Sequence, residues 1–455
     1  MAKVKKKEVL SLEEKLEQAL VPVEEWPYEV PKNWCWVRLK NVTYHISDGL
    51  HNLPKDAGKG IPLLSATNIH DSQVDFKNVT RYITEEEWEQ ENKRTKVAVG
   101  DVLLTIVASI GRTAIIENDI KFALQRSVAV IKPIYNGKYI KYFLDSPYIQ
   151  NFMLKNAKGT AQKGFYLKSV EELCIAFPPV FEQQRIVEQI ESLFSKLDEA
   201  KENLLNVINS FSERKSVILN KAFKGELTAV WRERNGVSIE NWEHKKFSDL
   251  CNIVRGGSPR PAGSPEFYDG TIPFMKVADI TGNRGPYVSK TEHTIKEAGL
   301  RKTRMVEANT LLLTNSGATL GVPAITTIQT TFNDGIAAFL DLKEESLLFY
   351  YYFWMSKISE LRAINKGAAQ PNLNTTIIGE MEIDVPSIAE QQEIVKILQN
   401  LIEKEENVKE IAENMVEQIS LMKKSILAKA FRGELGTNNP DEEKAIELLK
   451  QIIKE

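Results

Sequence analysis

The sequence predicts an α+β fold in which two mainly-β domains alternate with two long helices as a pseudo-two-fold internal repeat. Residues 182–227 return 208 positions later as residues 390–435, where EQQRIVEQI matches EQQEIVKIL and KAFKGEL matches KAFRGEL. The same offset pairs Gly49 with Gly257. Each copy begins with β-prone runs broken by Gly, Pro and Asn and ends in a heptad-patterned helix. The chain is therefore two copies of one unit.

The first 30 residues form a charged leader, in which we expect a short helix around residues 11–20. No apolar segment follows the N-terminal lysines, so we expect no secretory signal. The sequence contains no apolar run of 18 residues, so we expect no membrane span. Three scattered cysteines (Cys35, Cys174 and Cys251) form no CxxC pair, which favours a reduced, cytoplasmic protein.

The first globular domain is predicted over residues 31–181 and the second over 241–389, with a linker at 228–240. Strand-like runs include DVLLTIVAS (101–109) and SVAVIKP (127–133) in the first, and TLLLTNSG (310–317) and GIAAFLDL (335–342) in the second. Short helices are expected near 138–155 and 345–365. A tail at 436–455 is expected to contain an amphipathic helix over 440–453.

Each copy ends in a predicted spacer helix, at 182–227 and 390–435, with a seven-residue apolar repeat. The predicted core positions of the first are Ile186, Leu193, Ala200 and Val207, and Ile190, Leu197, Leu204, Phe211 and Ile218. Those of the second are Ile394, Leu401, Val408, Met415 and Met422, and Leu398, Ala412, Ile419 and Ile426. Arg214 and Glu405 interrupt the repeats. A pattern of this length predicts a coiled coil. Helix two must fold back along helix one to bury its seam, so we predict an antiparallel pair about 60 Å long.

Charge and motifs limit the class of function. Residues 31–181 contain 20 Lys and Arg against 15 Asp and Glu, whereas residues 382–455 contain 10 against 16. A mildly basic first domain fits local nucleic-acid contact despite the net charge of −3. The sequence has no phosphate-binding GxxxxGK[ST] loop and no HExxH motif. The histidines are too dispersed to predict a metal site: they are His45, His51, His70, His244 and His293.

Several segments together resemble the specificity (S) subunit of type I restriction–modification enzymes. They are the duplicated EQQ-initiated helices ending in KAF[KR]GEL, the leader at residues 12–39, and the segments at 48–69 and 256–280. The resemblance covers nearly the whole chain. It implies two target recognition domains, each reading one half of a bipartite, asymmetric site in double-stranded DNA. It also implies that the helices set the spacer and dock two methyltransferase subunits.

The resemblance further implies that two motor-nuclease (restriction) subunits can join the complex. Methyl transfer from S-adenosylmethionine to adenine, and ATP-driven, Mg-dependent cleavage, would belong to the partner subunits. This chain is then expected to be a non-catalytic subunit with no cofactor, no metal site and no catalytic residue of its own. The motifs that the sequence lacks agree with that division of labour.

The residues expected to contact DNA are polar or basic, and His51, Lys55 and Lys59 among them lie on a Gly- and Pro-rich loop. Basic groups would hold phosphates, and loop arginines could hydrogen-bond guanine edges. In the first domain they are His51, Lys55, Lys59, Lys93, Arg94, Lys96 and Arg112. In the second they are Arg255, Ser258, Arg260, Asn283, Arg284, Arg301, Lys302 and Arg304. The repeated elements Gly159–Gln162 and Gly367–Gln370 are expected to be turns before the last strand, or to approach the DNA backbone.

Two other functions remain open from the residues themselves. One is a non-enzymatic scaffold whose duplicated domains bind protein, with the coiled coil as a stalk. The other is a fused enzyme with divergent catalytic lobes. DNA binding in the presence of a methyltransferase subunit separates the first from a DNA-reading protein. Binding of S-adenosylmethionine or nucleotide by the isolated chain would favour the second.

Overall fold

The computed structural model describes residues 11–159, 163–364 and 373–454. The chain divides into unit 1, comprising Met1–Leu204 and Asn414–Glu455, and unit 2, comprising Leu205–Glu413. Each unit combines one β-rich domain with parts of both long helices. The predicted fold class, with two recognition-type domains and long helices, is confirmed.

The helices begin where the sequence offers caps, as at Ser11 and Thr84, which form reciprocal capping boxes with Glu14 and Glu87. In chain order they are α1 (Leu12–Ala19), α2 (Glu85–Thr95), α3 (Gly137–Leu144), α4 (Pro147–Asn156), α5 (Leu167–Glu171), α6 (Val180–Asn209), α7 (Phe211–Phe223), α8 (Ala229–Asn235), α9 (Phe247–Leu250), α10 (Val277–Thr281), α11 (Leu347–Ile364), α12 (Thr375–Gly379), α13 (Ile388–Ala430) and α14 (Ala445–Lys454). Among the described helices, none combines the length and the apolar character that a bilayer crossing requires.

Unit 1 contains a four-stranded antiparallel sheet, β2-β10-β7-β8, and a three-stranded mixed sheet, β6-β3-β9. Its strands are β1 (Cys35–Arg38), β2 (Thr43–Asp48), β3 (Ile61–Leu64), β4 (Ile69–His70), β5 (Gln73–Val74), β6 (Tyr82–Ile83), β7 (Val102–Thr105), β8 (Thr113–Ile115), β9 (Ala123–Leu124), β10 (Val128–Pro133) and β11 (Cys174–Phe177). The pair β1–β11 joins the start of the domain to the strand that precedes α6.

Unit 2 repeats this plan with a five-stranded sheet, β13-β21-β18-β19-β15, and a four-stranded sheet, β16-β14-β20-β17. Its strands are β12 (Glu243–Lys246), β13 (Asn252–Arg255), β14 (Tyr268–Met275), β15 (Tyr287–Val288), β16 (His293–Ile295), β17 (Arg304–Val306), β18 (Thr310–Thr314), β19 (Pro323–Thr326), β20 (Thr330–Phe332), β21 (Ile336–Leu340) and β22 (Glu382–Val385). The pair β12–β22 closes this domain just before α13, as β1–β11 does before α6.

The main core of each unit forms between its sheets and its share of the long helices. In unit 1 the buried residues Trp36 and Phe143 belong to the same cluster as Ile186 and Phe431. In unit 2 the corresponding cluster surrounds Trp354 and includes residues of α7 and α13. The long helices are therefore built into the domains, and burial of their apolar faces stabilises both.

The helix expected over 182–227 is divided at Ser210 into α6 and α7. The Ser210 Oγ donates to the Asn206 carbonyl at 2.7 Å. A guanidinium N–H of Arg214 donates to the Val207 carbonyl at 3.0 Å. The Asn206 carbonyl also keeps its helical bond from Ser210 N, at 3.0 Å, whereas the Val207 carbonyl accepts from the side chains of Ser210 and Arg214. Insertion of side chains into the helical hydrogen bonds is a recognised cause of helix interruption.

Part of the predicted helix core is wrong. Val408, Met415 and Met422 are exposed in α13, and Ala200 is exposed in α6. One of the two predicted sets of heptad core positions in α13 is instead shifted by one residue towards the C-terminus. Within that set Lys423 is half-buried, with its ammonium 4.8 Å from the ring centroid of Phe194. A lysine can occupy a helix–helix contact through a cation–π interaction, so the apolar pattern alone does not fix these positions.

Within unit 2 the helical segments run antiparallel, as predicted. Lys409 lies over the ring of Phe211, and Arg214 Nε donates to Glu405 Oε2 at 2.7 Å. Moving forward along α7 therefore means moving backward along α13. The two residues that interrupt the heptads are each other's partners, which fixes the register of the pair.

A buried glutamate joins helix and domain in each unit. In unit 1, Glu182 accepts a hydrogen bond from Trp34 Nε1 at 2.7 Å. In unit 2, Glu390 accepts one from Trp242 Nε1 at 3.0 Å. Both pairs are related by the 208-residue offset. The internal repeat thus extends from the sequence to individual buried contacts.

Candidate nucleic-acid interface

In unit 1, loops from several strands line an open cleft of about 470 Å³. Its lining residues are Leu50, His51, Leu53, Ser65, Ala66, Thr67, Val107, Ala108, Gln125, Arg126 and Ser127. The loop after β2 lies directly against the end of β9. A Cβ added to Gly49 would lie 2.0 Å from the Leu124 carbonyl oxygen, so this close approach requires glycine.

The buried carboxylate of Asp48 organises one side of this cleft. It accepts from Arg94 Nη1 at 3.1 Å and pairs with His51 Nε2 at 3.0 Å. Arg94 also donates to the Gly49 carbonyl at 2.8 Å and to Glu91 at 2.6 Å. Burial raises the pKa of Glu91, an effect that Arg94 opposes. Arg94 therefore braces the loop from the end of α2.

Of the residues predicted to contact DNA in this domain, His51 lines the cleft. The others are exposed at the surface around it or on neighbouring elements. Lys55 and Lys59 lie on the loop after β2, Lys93 and Lys96 end α2, and Arg112 precedes β8. A guanidinium N–H of Arg112 reaches the Ile69 carbonyl at 3.4 Å. DNA contact by these residues remains a prediction.

In unit 2, Asp334 is the centre of the equivalent region. Ser258 Oγ donates to its Oδ1 at 2.6 Å, and Arg255 Nε donates to its carbonyl at 2.7 Å. Arg304 Nε in turn donates to the Arg255 carbonyl at 2.9 Å. Arg260 lies 3.9 Å from Asp334 Oδ2. The structure thus brings together four of the residues predicted to contact DNA, around an acidic residue that was not predicted.

The other predicted residues of unit 2 lie on two segments. Asn283 follows α10 and donates to the carbonyls of Gly285 and Tyr287, at 3.1 and 2.9 Å, so it shapes its own loop. Arg284 beside it is exposed. Arg301 and Lys302 are exposed in the turn before β17.

The hydrogen bonds of Gly256 show that the predicted pairing of Gly49 with Gly257 is wrong. Gly256 N donates to Ile336 O at 3.0 Å, and Gly49 N donates to Val128 O at 3.2 Å. Val128 and Ile336 are equivalent at the offset of 208. Gly256, not Gly257, therefore takes the place of Gly49, because the loop leading to it is one residue shorter.

Sequence reasoning missed residues that line the same loops. Arg126 and Asp334 are equivalent at the 208-residue offset, so alignment of the repeats could have found them. Asn315 follows β18 and is fully buried, yet its side-chain amide finds no hydrogen-bond partner among the described residues. The repeated elements near Gly159 and Gly367 lie mostly outside the residues that the structure describes.

The shared architecture of the two units defines a protein with two related recognition modules built onto paired long helices. The description "Type I restriction modification DNA specificity domain" matches the chain twice, over residues 46–210 and 239–416. The chain belongs to this family. The resemblance predicted from the sequence is thereby confirmed.

Curated relatives agree with this assignment. The EcoBI specificity subunit of Escherichia coli is 31% identical over 221 residues, covering 47% of this chain and 46% of that subunit. The match to the EcoKI specificity subunit likewise covers 47% of each chain, so the alignments span about half the length of these relatives. The putative MjaX specificity subunit of Methanocaldococcus jannaschii is 25% identical and aligns over 90% of this chain and 95% of its own.

Solved structures show the same fold. The HsdS subunit of Thermoanaerobacter tengcongensis superposes with a TM-score of 0.60 at 18% identity, covering 91% of this chain and all of that one. A chain from a study of complex assembly and conformational transition in a type I R-M system gives a TM-score of 0.64, also at 18% identity, covering 90% of this chain and all of that one.

Proposed function

We propose that this chain is the DNA-specificity subunit of a type I restriction–modification complex, and that each unit reads one half of a bipartite DNA target. The single observation that carries the proposal is the repetition of one loop framework with different side chains. Asp48 braces the loop in unit 1, whereas Asp334 does so in unit 2. One framework with two sets of exposed groups suits recognition of two different sequences.

Base reading requires side chains held at defined positions, because a hydrogen bond discriminates between bases only when its geometry is fixed. The ion pairs and glycine contacts of the two frameworks supply that rigidity. The exposed lysines and arginines around them supply phosphate contacts, which set the register and carry no sequence information.

The long helices would set the spacer between the half-sites and dock two methyltransferase subunits. Exposed apolar residues on these helices support the docking role. Val408, Met415 and Met422 recur every seventh residue on α13, and Leu205 and Val217 are exposed on α6 and α7. A heptad-spaced apolar line exposed to solvent fits the apolar face of a partner helix.

The chemical steps would belong to partner subunits. In this proposal S-adenosylmethionine, ATP and Mg²⁺ bind the methyltransferase and the motor-nuclease subunits, two of each, and this chain is non-catalytic. It would act in the cytoplasm, where its free cysteines stay reduced.

Mapping of methylated adenines tests the proposal directly. A host without other methyltransferases would express the full chain with its methyltransferase subunits, and its genome would be sequenced for modified bases. We expect one motif with two defined halves separated by an unread spacer. A genome without such a motif, from a complex that assembles and binds S-adenosylmethionine, would contradict the proposal and favour a protein-binding scaffold.

The docking surface has its own test. Met415→Glu places a charge on the exposed apolar line, and we expect co-purification of the methyltransferase subunit to fall at least tenfold. Glu417→Gln, at an exposed position of the same helix outside that line, is the matched control. Equal recovery with both variants would show that the partner docks elsewhere.

A further inference from the structure

A four-residue turn has the same backbone in both units. In unit 1 it spans residues 125–128, where Val128 N donates to Gln125 O at 3.0 Å. In unit 2 it spans residues 333–336, where Ile336 N donates to Asn333 O at 3.1 Å. Each turn joins the short strand of one sheet to a long strand of another. The residue at the second position of each turn therefore projects from an equivalent place on the scaffold.

The flanking pairing confirms the equivalence of the turns. The strand before each turn pairs parallel with the first half of the domain, as Leu64↔Leu124 in unit 1 and Met275↔Phe332 in unit 2. The next residue, Gln125 or Asn333, then donates its N–H to the carbonyl of Leu64 or Met275, at 2.8 and 3.0 Å respectively. The two turns thus sit in the same frame of hydrogen bonds.

The residues at this equivalent place carry opposite charges. Unit 1 has Arg126 and unit 2 has Asp334. Two turns that served only to connect strands would need no charge at this position. The same backbone position therefore presents a donor in unit 1 and an acceptor in unit 2.

Arg126 is available for a ligand. Its side chain is exposed and lines the cleft of unit 1 with His51 and Thr67. It makes no hydrogen bond and no ion pair with any described residue. A free guanidinium presents paired donors in one plane, which match two acceptors on one edge of a base.

Asp334 is held in place but keeps one free acceptor. Ser258 occupies Oδ1 at 2.6 Å, and Arg255 holds the carbonyl of the same residue at 2.7 Å. Among the residues that the structure describes, the only cation paired with Oδ2 is Arg260, at the long distance of 3.9 Å, and the Asp334 side chain is 44% exposed. A carboxylate is repelled by phosphates, so an acceptor at a DNA surface is useful towards the amino group of a base.

Resting on the proposed function, we infer that the second position of this turn determines specificity in each half-site. Arg126 donates to the O6 and N7 acceptors of a guanine in the half-site read by unit 1. Asp334 accepts from the exocyclic amino group of a base in the half-site read by unit 2. The two units thus use one structural position to read complementary kinds of base edge.

The experiment maps methylated adenines for the full chain assembled with its methyltransferase subunits, comparing Arg126→Ala and Asp334→Ala with the parent. A lost base contact reduces discrimination by about tenfold or more at one base pair. We expect Arg126→Ala to relax one position of one half-site and Asp334→Ala to relax one position of the other. Lys168→Ala and Glu345→Ala, at exposed positions outside the two turns, are the matched controls and should leave the motif unchanged.

A conservative variant of Asp334 separates the loss of a base contact from the loss of the hydrogen bond to Ser258. Asp334→Asn keeps an acceptor for Ser258 but offers an amide donor in place of Oδ2. We expect it to change the preferred base at the affected position rather than to weaken methylation at every site. Removing the brace alone, with Ser258→Ala, should relax the same position less than Asp334→Ala does.

The outcomes are distinct. An unchanged motif would overturn the inference. Methylation weakened equally at all sites would also overturn it, and would assign Arg126 to phosphate contact or either residue to folding. Thermal unfolding of each assembled variant reports the second case. A parent complex that yields a two-part motif keeps the proposed function in place whatever the variants do. A parent complex with no two-part motif would instead remove the proposed function itself.

Discussion

Two buried glutamates occupy equivalent positions in the two units, yet their surroundings differ. Glu182 accepts from Trp34 and Asn438 and lies 3.5 Å from the Thr437 hydroxyl, all neutral groups. Glu390 accepts from Trp242 as well, but its other oxygen meets a guanidinium, Arg232, at 2.6 Å. The same helix start is thus attached to its domain by neutral hydrogen bonds in unit 1 and by an ion pair in unit 2.

The difference follows from which segment reaches each glutamate. In unit 1 this segment is the C-terminal tail. Its Glu442 accepts two hydrogen bonds, of 2.7 and 2.9 Å, from Arg185 on α6. In unit 2 it is α8, whose Arg232 is almost fully buried. Burial raises the pKa of Glu182, which neutral donors only partly offset. The two attachments should therefore respond differently to mutation.

The largest effect is expected at the buried ion pair. Arg232→Met leaves the carboxylate of Glu390 buried without a counter-charge, and we expect a loss of about 3–5 kcal/mol in the free energy of unfolding of unit 2. Urea unfolding, followed by hydrogen exchange of peptides from unit 2, measures it. Arg234→Met, at an exposed position of the same helix, is the control. A loss no larger than that of the control would show that the ion pair adds nothing to the neutral contacts.

A second comparison concerns the residue that follows β7 in unit 1 and β18 in unit 2. Ile106 and Asn315 make the same kind of backbone bond: the Ile106 carbonyl accepts from Phe165 N, and the Asn315 carbonyl accepts from Leu373 N. Both are buried, but one is apolar and the other carries an amide without a partner among the described residues. An unpaired buried amide costs about 1–3 kcal/mol.

Exchanging these residues tests that comparison. We expect Asn315→Leu to stabilise unit 2 by about 1–3 kcal/mol, because it removes the unpaired amide. Ile106→Asn should destabilise unit 1 by a similar amount or more, because it adds one and loses apolar burial. Thermal unfolding of the two variants measures both. If Asn315→Leu destabilises the protein, the amide has a partner that stabilises the fold.

The features that the sequence predicted well are those carried by repetition and periodicity. The duplicated EQQ and KAF[KR]GEL segments predicted two equivalent domains and the antiparallel pairing seen in unit 2. The heptad pattern did not fix which flank faces inward, because the ammonium groups of Lys409 and Lys423 lie over the rings of Phe211 and Phe194 at positions that an apolar pattern does not mark. Met415 on the predicted core line is exposed as a result.

The candidate site was less predictable, because a basic residue in a loop has the same sequence signal whether it is free or paired. Arg94 was predicted to contact DNA, and the structure shows it braced by Asp48, a residue 46 positions away. Such a pairing depends on the tertiary fold. Asp334 was not among the predicted residues, which are basic or neutral polar groups, although a carboxylate acceptor is equally able to read a base.

A smaller effect is expected from pH at Glu182. Burial raises the pKa of this carboxyl above its ordinary value of 4.5, so the folded protein binds its proton more tightly than the unfolded chain does. The associated stability is fully present below pH 4.5 and is lost as pH rises through the folded-state pKa. We expect unfolding of Glu182→Gln to lack this fall, measured as the difference from the parent between about pH 4 and pH 7. A parent that gains stability relative to Glu182→Gln as the pH rises would reverse the assigned direction.

The smallest expected effect distinguishes the helical segments of the two units. In unit 1, Lys423 pairs with Asp198 at 2.6 Å, and the Asp198 side chain is 59% exposed. In unit 2, Arg214 and Glu405 pair at interior positions, and Arg214 Nη2 is buried without a partner among the described residues. Asp198→Asn should cost under about 1 kcal/mol and lose its effect in 1 M salt, because an exposed pair is screened. Glu405→Gln should cost more and keep its effect in salt, because it leaves the guanidinium less compensated in a drier site. Equal costs with equal salt dependence would show that the interior pair is as well hydrated as the surface pair.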